Sequence, residues 1–83
     1  MITIKFFAVL KKLIGREDLL LPVSQPMTLK EVFDQIELEI PKIRIIMKEG
    51  RALVAVNQEM ATEDSLVRDG DEIAMLPPFA GGA

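Results

Sequence analysis

The sequence predicts an α+β domain in which one main helix lies across a small mixed sheet. Three observations carry this. Strand-like runs open and close the patterned part of the chain, at residues 2–7 and 72–76. Between them a long apolar stripe at helical spacing runs from Leu29 to Ile40. Finally, 83 residues, 49% of them apolar, suffice for one core and leave no material for a second.

Taken in order, Ile2-Thr3-Ile4-Lys5-Phe6 alternates apolar and polar residues, which makes a strand with Ile2, Ile4 and Phe6 on one face. Val9, Leu10, Leu13 and Ile14 then recur at helical spacing, and Gly15 stands where a C′ residue ends a short helix. Residues 17–21 read as a second strand, stopped by Pro22 and forming an edge pair with the first. Thr28-Leu29-Lys30-Glu31 is a capping-box pattern, with Met27 and Val32 at the hydrophobic-staple positions. Leu29, Val32, Phe33, Ile36 and Ile40 form the stripe of the main helix, and Pro41 closes it. A weaker helical piece follows, with Ile43, Ile46 and Met47 apolar and Gly50 as its stop. Residues 52–56 are continuously apolar and short, as in a buried central strand. The polar stretch from Asn57 to Asp71 is expected to be anchored by Leu66 and Val67. Asp69-Gly70-Asp71 is turn chemistry, and the last strand, 72–76, turns Ile73 and Met75 inward before Pro77-Pro78 end it.

Strand, short helix, strand, long helix, strand, strand is the order expected of a ubiquitin-like β-grasp. A ferredoxin-like sandwich needs two comparable helices, and the first one here is too short. Residues 1–78 are therefore expected to form the β-grasp domain and residues 79–83 a flexible C-terminal tail.

Composition prunes the chemistry. Without cysteine there is no thiol nucleophile, disulfide or redox pair, and without histidine a Ser-His-Asp arrangement and a Cys/His zinc site are both excluded. A net charge of −3, with no Tyr or Trp to stack on bases, argues against nucleic-acid binding. Met1 leads straight into a strand-like run, without the charged and apolar regions of a signal peptide, and no apolar run approaches the length of a membrane span. A cytoplasmic protein without a membrane partner is expected. Its function is expected to lie with another protein, since its acidic field favours a basic surface.

Two features suit such a partner. Pro77-Pro78 stiffen the exit from the last strand, and Gly81-Gly82 remove side chains from the tail, so that it can thread a narrow channel and present a carboxylate for activation. If the buried faces are as assigned, Phe7, Ala74 and Leu76 point away from the helix and, with Phe79, compose an exposed apolar patch. The carboxylates Asp69, Asp71 and Glu72 lack the ligand spacing of an EF-hand loop and read as turn-forming and solvating groups; no metal site is expected. The glycines at 15, 50 and 70 stand singly, which excludes a phosphate-cradling loop.

Several fragments together resemble the MoaD-type sulfur carriers, the small subunits of molybdopterin synthase. They are Phe6-Phe7-Ala8 with Leu10 and Gly15, Val56-Asn57-Gln58, Asp69-Gly70-Asp71-Glu72, and Pro77-Pro78 followed two residues later by Gly81-Gly82. The resemblance runs the whole length and keeps the order and spacing of these pieces. It implies a β-grasp fold and a role without catalysis by the isolated chain. An E1-like, MoeB-type enzyme uses ATP to adenylate the C-terminal glycine, which becomes a thiocarboxylate. The tail then enters a MoaE-type large subunit and gives its sulfur to precursor Z (cyclic pyranopterin monophosphate). A heterotetramer with two large subunits in the middle is implied as well, and no cofactor bound by this chain.

Carried over onto this sequence, Gly82 is the acyl carrier and Gly81 its partner in threading; Phe7, Leu76 and Phe79 are the docking candidates on the face argument above, not by carry-over. One departure stands out. Ala83 follows the second glycine where family members end, so carboxylate chemistry at Gly82 implies a protease that removes Ala83; the alternatives are an activating enzyme that accepts a terminal alanine, or a chain that no longer carries sulfur. Two other readings remain: a sulfur carrier for another pathway, such as thiamine thiazole synthesis, and a non-carrier β-grasp interaction module or protein modifier. Thiamine carriers are usually shorter, lacking the segment between Pro41 and Arg51 and the Phe-Phe-Ala opening.

Overall fold

The opening alternation forms strand β1 (Ile2–Phe6), and its apolar set, Ile2, Ile4 and Phe6, is fully buried. The computed structural model describes residues 1–78; Phe79, Gly81, Gly82 and Ala83, and with them the expected tail, lie outside the described residues. Helix α1 (Val9–Ile14) follows β1 almost at once and stops at Gly15, whose φ of 85° is the left-handed cap that glycine adopts without strain; its N–H donates to the Lys11 carbonyl. Strand β2 (Asp18–Leu21) returns antiparallel to β1 and forms one edge of the sheet, as the sequence led us to expect.

A two-residue strand, β3 (Met27–Thr28), leads into the main helix α2 (Leu29–Glu39). The capping box is complete: the Glu31 N–H donates to Thr28 Oγ1 at 3.2 Å, and the Thr28 N–H donates to Glu31 Oε1 at 2.9 Å. Two orphan amides of the first turn are thereby satisfied. Leu29, Val32, Ile36 and Ile40 are buried against the sheet, and a fully buried aliphatic side chain of this size contributes roughly 1.5–3 kcal/mol. Pro41 ends α2 and begins α3 (Lys42–Lys48), which buries Ile43 and Ile46. Arg44 joins the two helices by reaching back to Asp34 at 2.7 Å and Glu37 at 2.6 Å.

The remaining strands are β4 (Leu53–Val56), β5 (Glu59–Met60), β6 (Leu66–Val67) and β7 (Glu72–Leu76). The five-stranded sheet has the order β2-β1-β7-β4-β5. Its neighbours are antiparallel except β1 and β7, which run parallel, so the chain crosses over the sheet between them through α2. The last strand thus lies beside the first, in the middle of the sheet. β3 pairs with β6 in a separate ribbon, which ties down the start of α2 through Leu29 N–H to Ser65 C=O at 2.8 Å.

Three expectations are corrected. The central strand is β7, not residues 52–56: β4 has only the two-residue β5 on its outer side, and Leu53, on the face turned away from α2, is 41% exposed. Val9 is exposed because α1 is less than two turns long; it buries Leu10 and Ile14 and packs Leu13 against the core's edge. Leu66 is exposed as well; in a two-residue strand one side chain alone faces inward, and it is Val67.

Candidate functional site

The pleat sorts the sheet's residues into two faces. Ile4, Ile73, Met75 and Val54 turn towards α2, which leaves Lys5, Ala74, Leu76, Leu53 and Ala55 on the open face. Leu76 pairs with Leu53 across β7 and β4. Beyond the Phe6–Met75 pair, the Phe7 N–H donates to the Met75 carbonyl at 3.1 Å, which continues the ladder by one step and places Phe7 alongside Leu76. Phe7, Leu76 and Leu53 therefore form an apolar row across three neighbouring strand ends. Phe7 is 41% exposed and Leu76 half-buried. Pro77 follows directly on Leu76, so the row lies where the chain leaves the sheet. Further along the open face, Lys5 Nζ and Glu72 Oε2 stand 3.2 Å apart, and both are well exposed.

The other end of β7 is fixed by a side-chain clamp. Asn57 and Gln58 form the β4–β5 turn with φ of 49° and 72°, the twist a two-residue hairpin needs and one that asparagine tolerates better than most residues. The Asn57 amide donates to Asp71 Oδ1 at 2.9 Å and accepts the Glu72 N–H at 3.0 Å. The second Asp71 oxygen accepts the Arg68 N–H at 2.8 Å. The Asn57 hydrogen bond, followed by that from Arg68, holds the Asp71 carboxyl below its ordinary pKa.

The predicted site residues fall into two groups. Phe7 and Leu76 are brought together on the open face; Phe79, Gly81 and Gly82 lie outside the described residues. Leu53 belongs beside Phe7 and Leu76 and escaped the sequence reading. Inside an unbroken apolar run it reads as buried, and only its register opposite Leu76 reveals the exposed face. The acidic cluster does not converge. Asp69 pairs with the Met1 amino group, Asp71 with Asn57 and Glu72 with Lys5. Among the described residues no three His, Cys, Asp or Glu side chains gather as metal ligands would. No helix among them is long and apolar enough to cross a membrane.

The arrangement offers an apolar row at the root of the C-terminal segment. The pattern of a known family matches residues 4–82. The chain belongs to the ThiS family. It is 34% identical to the molybdopterin synthase sulfur carrier subunit of Haemophilus influenzae, over 99% of this chain and all of that one. In solved structures it superposes on a chain of the complex of subunits 1 and 2 of the molybdopterin-converting factor from Helicobacter pylori. There the TM-score is 0.67 and the identity 26%, over 98% of this chain and 97% of that one. It also superposes on the H. volcanii small archaeal modifier protein 1, with a TM-score of 0.76 at 25% identity, over 94% of this chain and 97% of that one. These members share the ubiquitin-like β-grasp, and the expectation of that fold stands.

Proposed function

We propose that this chain is the sulfur-carrier subunit of a molybdopterin synthase. The observation that carries the proposal is the end-to-end similarity to a sulfur carrier subunit of that enzyme. It is supported by the apolar row at the exit of β7, which suits a partner that must hold the following segment in place. The work is divided between the chain and its partners. The domain docks; the Gly82 carboxylate, once free, is the reacting group. A MoeB-type activating enzyme joins it to ATP as an acyl-adenylate with loss of pyrophosphate. A sulfur nucleophile then displaces AMP and leaves a thiocarboxylate, which gives its sulfur to precursor Z within a MoaE-type large subunit. ATP belongs to the activating enzyme, and this chain holds no cofactor. Gly82 lies four residues beyond Pro78, so fully extended chain carries it at most about 14 Å from the domain. Docking at Phe7, Leu76 and Phe79 therefore confines the sulfur to a small volume and makes its transfer effectively intramolecular. Gly81 keeps the segment narrow enough to thread. The cytoplasm, a heterotetramer with two large subunits at its centre, and hydrolysis of the Gly82–Ala83 bond by a protease complete the reading.

The test is the intact mass of the chain after incubation with ATP, a MoeB-type enzyme, a sulfur donor and cell extract as a source of protease. Loss of Ala83 with exchange of one oxygen for sulfur is expected. An unchanged mass, in a reaction that converts a control chain ending at Gly82, would refute sulfur carriage by the chain as it stands. A second reading, conjugation to other proteins, draws on the likeness to the archaeal modifier protein; it predicts isopeptide-linked adducts on lysines in place of the thiocarboxylate.

A further inference from the structure

Ala8 has φ 53° and ψ −130°. That is the first central position of a type II′ turn, where glycine is at ease and the Cβ of an L-residue is crowded. The turn is closed by Leu10 N–H to Phe7 C=O at 3.0 Å and followed by Lys11 N–H to Ala8 C=O at 3.1 Å. On the strand side, Phe7 N–H is held by Met75 C=O. Both main-chain groups of Phe7 are thus engaged, while its flanks, Phe6 and Leu10, are buried in the core. A single residue turns the chain from strand to helix, and of the three exposed residues between the two core anchors Phe7 is the aromatic one.

We infer that Ala8 is a positioning residue for Phe7, its strained backbone fixing the phenyl ring on the open face beside Leu76 for docking. The inference rests on the proposed docking of this face to a large subunit. The flanking anchors force the turn. Within that forced conformation the Ala8 methyl leaves a much narrower range of φ and ψ than glycine would. The alanine costs stability and restricts Phe7 before the partner arrives, and restriction in the bound geometry raises affinity.

Stability and affinity should therefore part company. Ala8→Gly removes the strain and the restriction together; a D-alanine at position 8, introduced by chemical ligation, removes the strain and keeps the restriction. Melting temperature and the Kd for the cognate large subunit are measured for both, for Phe7→Ala and for the double variant. Both position-8 variants should melt roughly 2–6 °C higher. Ala8→Gly should bind about three- to tenfold more weakly, and the D-alanine protein as tightly as the parent. The effect of Ala8→Gly should vanish when Phe7 is already alanine. Undiminished binding by Ala8→Gly, while Phe7→Ala binds weakly, would overturn the inference and leave the docking surface standing. Undiminished binding by Phe7→Ala would overturn the docking role of Phe7 itself, and the inference with it.

Discussion

Asn57 and Asp71 meet at 2.9 Å through side chains fourteen residues apart, and they lock the β4–β5 hairpin to the head of β7. The same asparagine accepts the first amide of β7 and donates its own N–H to the Glu72 carbonyl at 2.8 Å. Two of the sequence fragments that carry the resemblance, Val56-Asn57-Gln58 and Asp69-Gly70-Asp71-Glu72, are thus the two halves of one clamp. Its place explains its use: β7 is the central strand and carries the C-terminal segment at its far end. A β7 fixed in register fixes where that segment starts.

Replacing Asp71 by asparagine tests the clamp with almost no change in volume. Asp71 accepts from two donors, and an amide can offer an oxygen to only one of them while its NH2 confronts the other. A loss of about 1 kcal/mol is expected. For a domain of this size that lowers the melting temperature by roughly 4–8 °C. Thermal unfolding followed by circular dichroism reads it directly; an unchanged midpoint would mean that the clamp adds nothing to stability.

The same carboxyl sets part of the acid limb. Asp71 is held below its ordinary pKa by the Asn57 side chain first and the Arg68 N–H second. A depressed folded-state pKa contributes stability above the unfolded value of about 3.9, and that contribution is lost as pH falls through the folded value. Glu31, lowered by its hydrogen bonds to Thr28, and Asp34 and Glu37, lowered by Arg44, act in the same direction. Stability should be level near neutrality and fall below roughly pH 4. The gap between the parent and Asp71→Asn should narrow over the same range, because a protonated Asp71 is as neutral as the asparagine. Urea midpoints from pH 7 to pH 2.5 would show this, and a gap constant with pH would contradict it.

Thr28→Ala removes the oxygen that receives the Glu31 amide at the start of α2. A cost of about 1 kcal/mol is expected, with Thr28→Ser recovering most of it. Equal urea midpoints for the alanine and serine variants would show that the ribbon of β3 and β6, and not the cap, starts the helix.

Legibility in the sequence followed length of pattern. Thr28 to Glu31 and the stripe from Leu29 to Ile40 announce α2 because cap and periodicity agree over three turns, and β1 and β7 announce themselves by alternation. Met27–Thr28, Glu59–Met60 and Leu66–Val67 form strands too short to show any period; tertiary pairing alone makes them. The site was half legible for a related reason. Phe7 and Leu76 stand out as apolar residues on the wrong side of an alternating strand. Leu53 sits in a run that is apolar throughout, so its face is decided by a partner strand more than twenty residues away.

Leu53 accordingly provides the sharpest test of the docking surface. In the free chain it lies partly in water, opposite Leu76, so Leu53→Asp puts a hydrated carboxylate on an open face and should alter stability by no more than about 1 kcal/mol. In a complex that covers the row, the same carboxylate would be stripped of water among Phe7 and Leu76, and affinity for the large subunit should fall at least about tenfold. Leu20→Asp is the matched control. Leu20 is also exposed, but it pairs with Thr3 on β1, towards the opposite end of the sheet from the row. Calorimetric titration of both variants with the large subunit, alongside their melting temperatures, decides the matter. Weak binding by Leu53→Asp alone would place the partner over Phe7, Leu76 and Leu53; parental affinity in a folded Leu53→Asp protein would move it off this face.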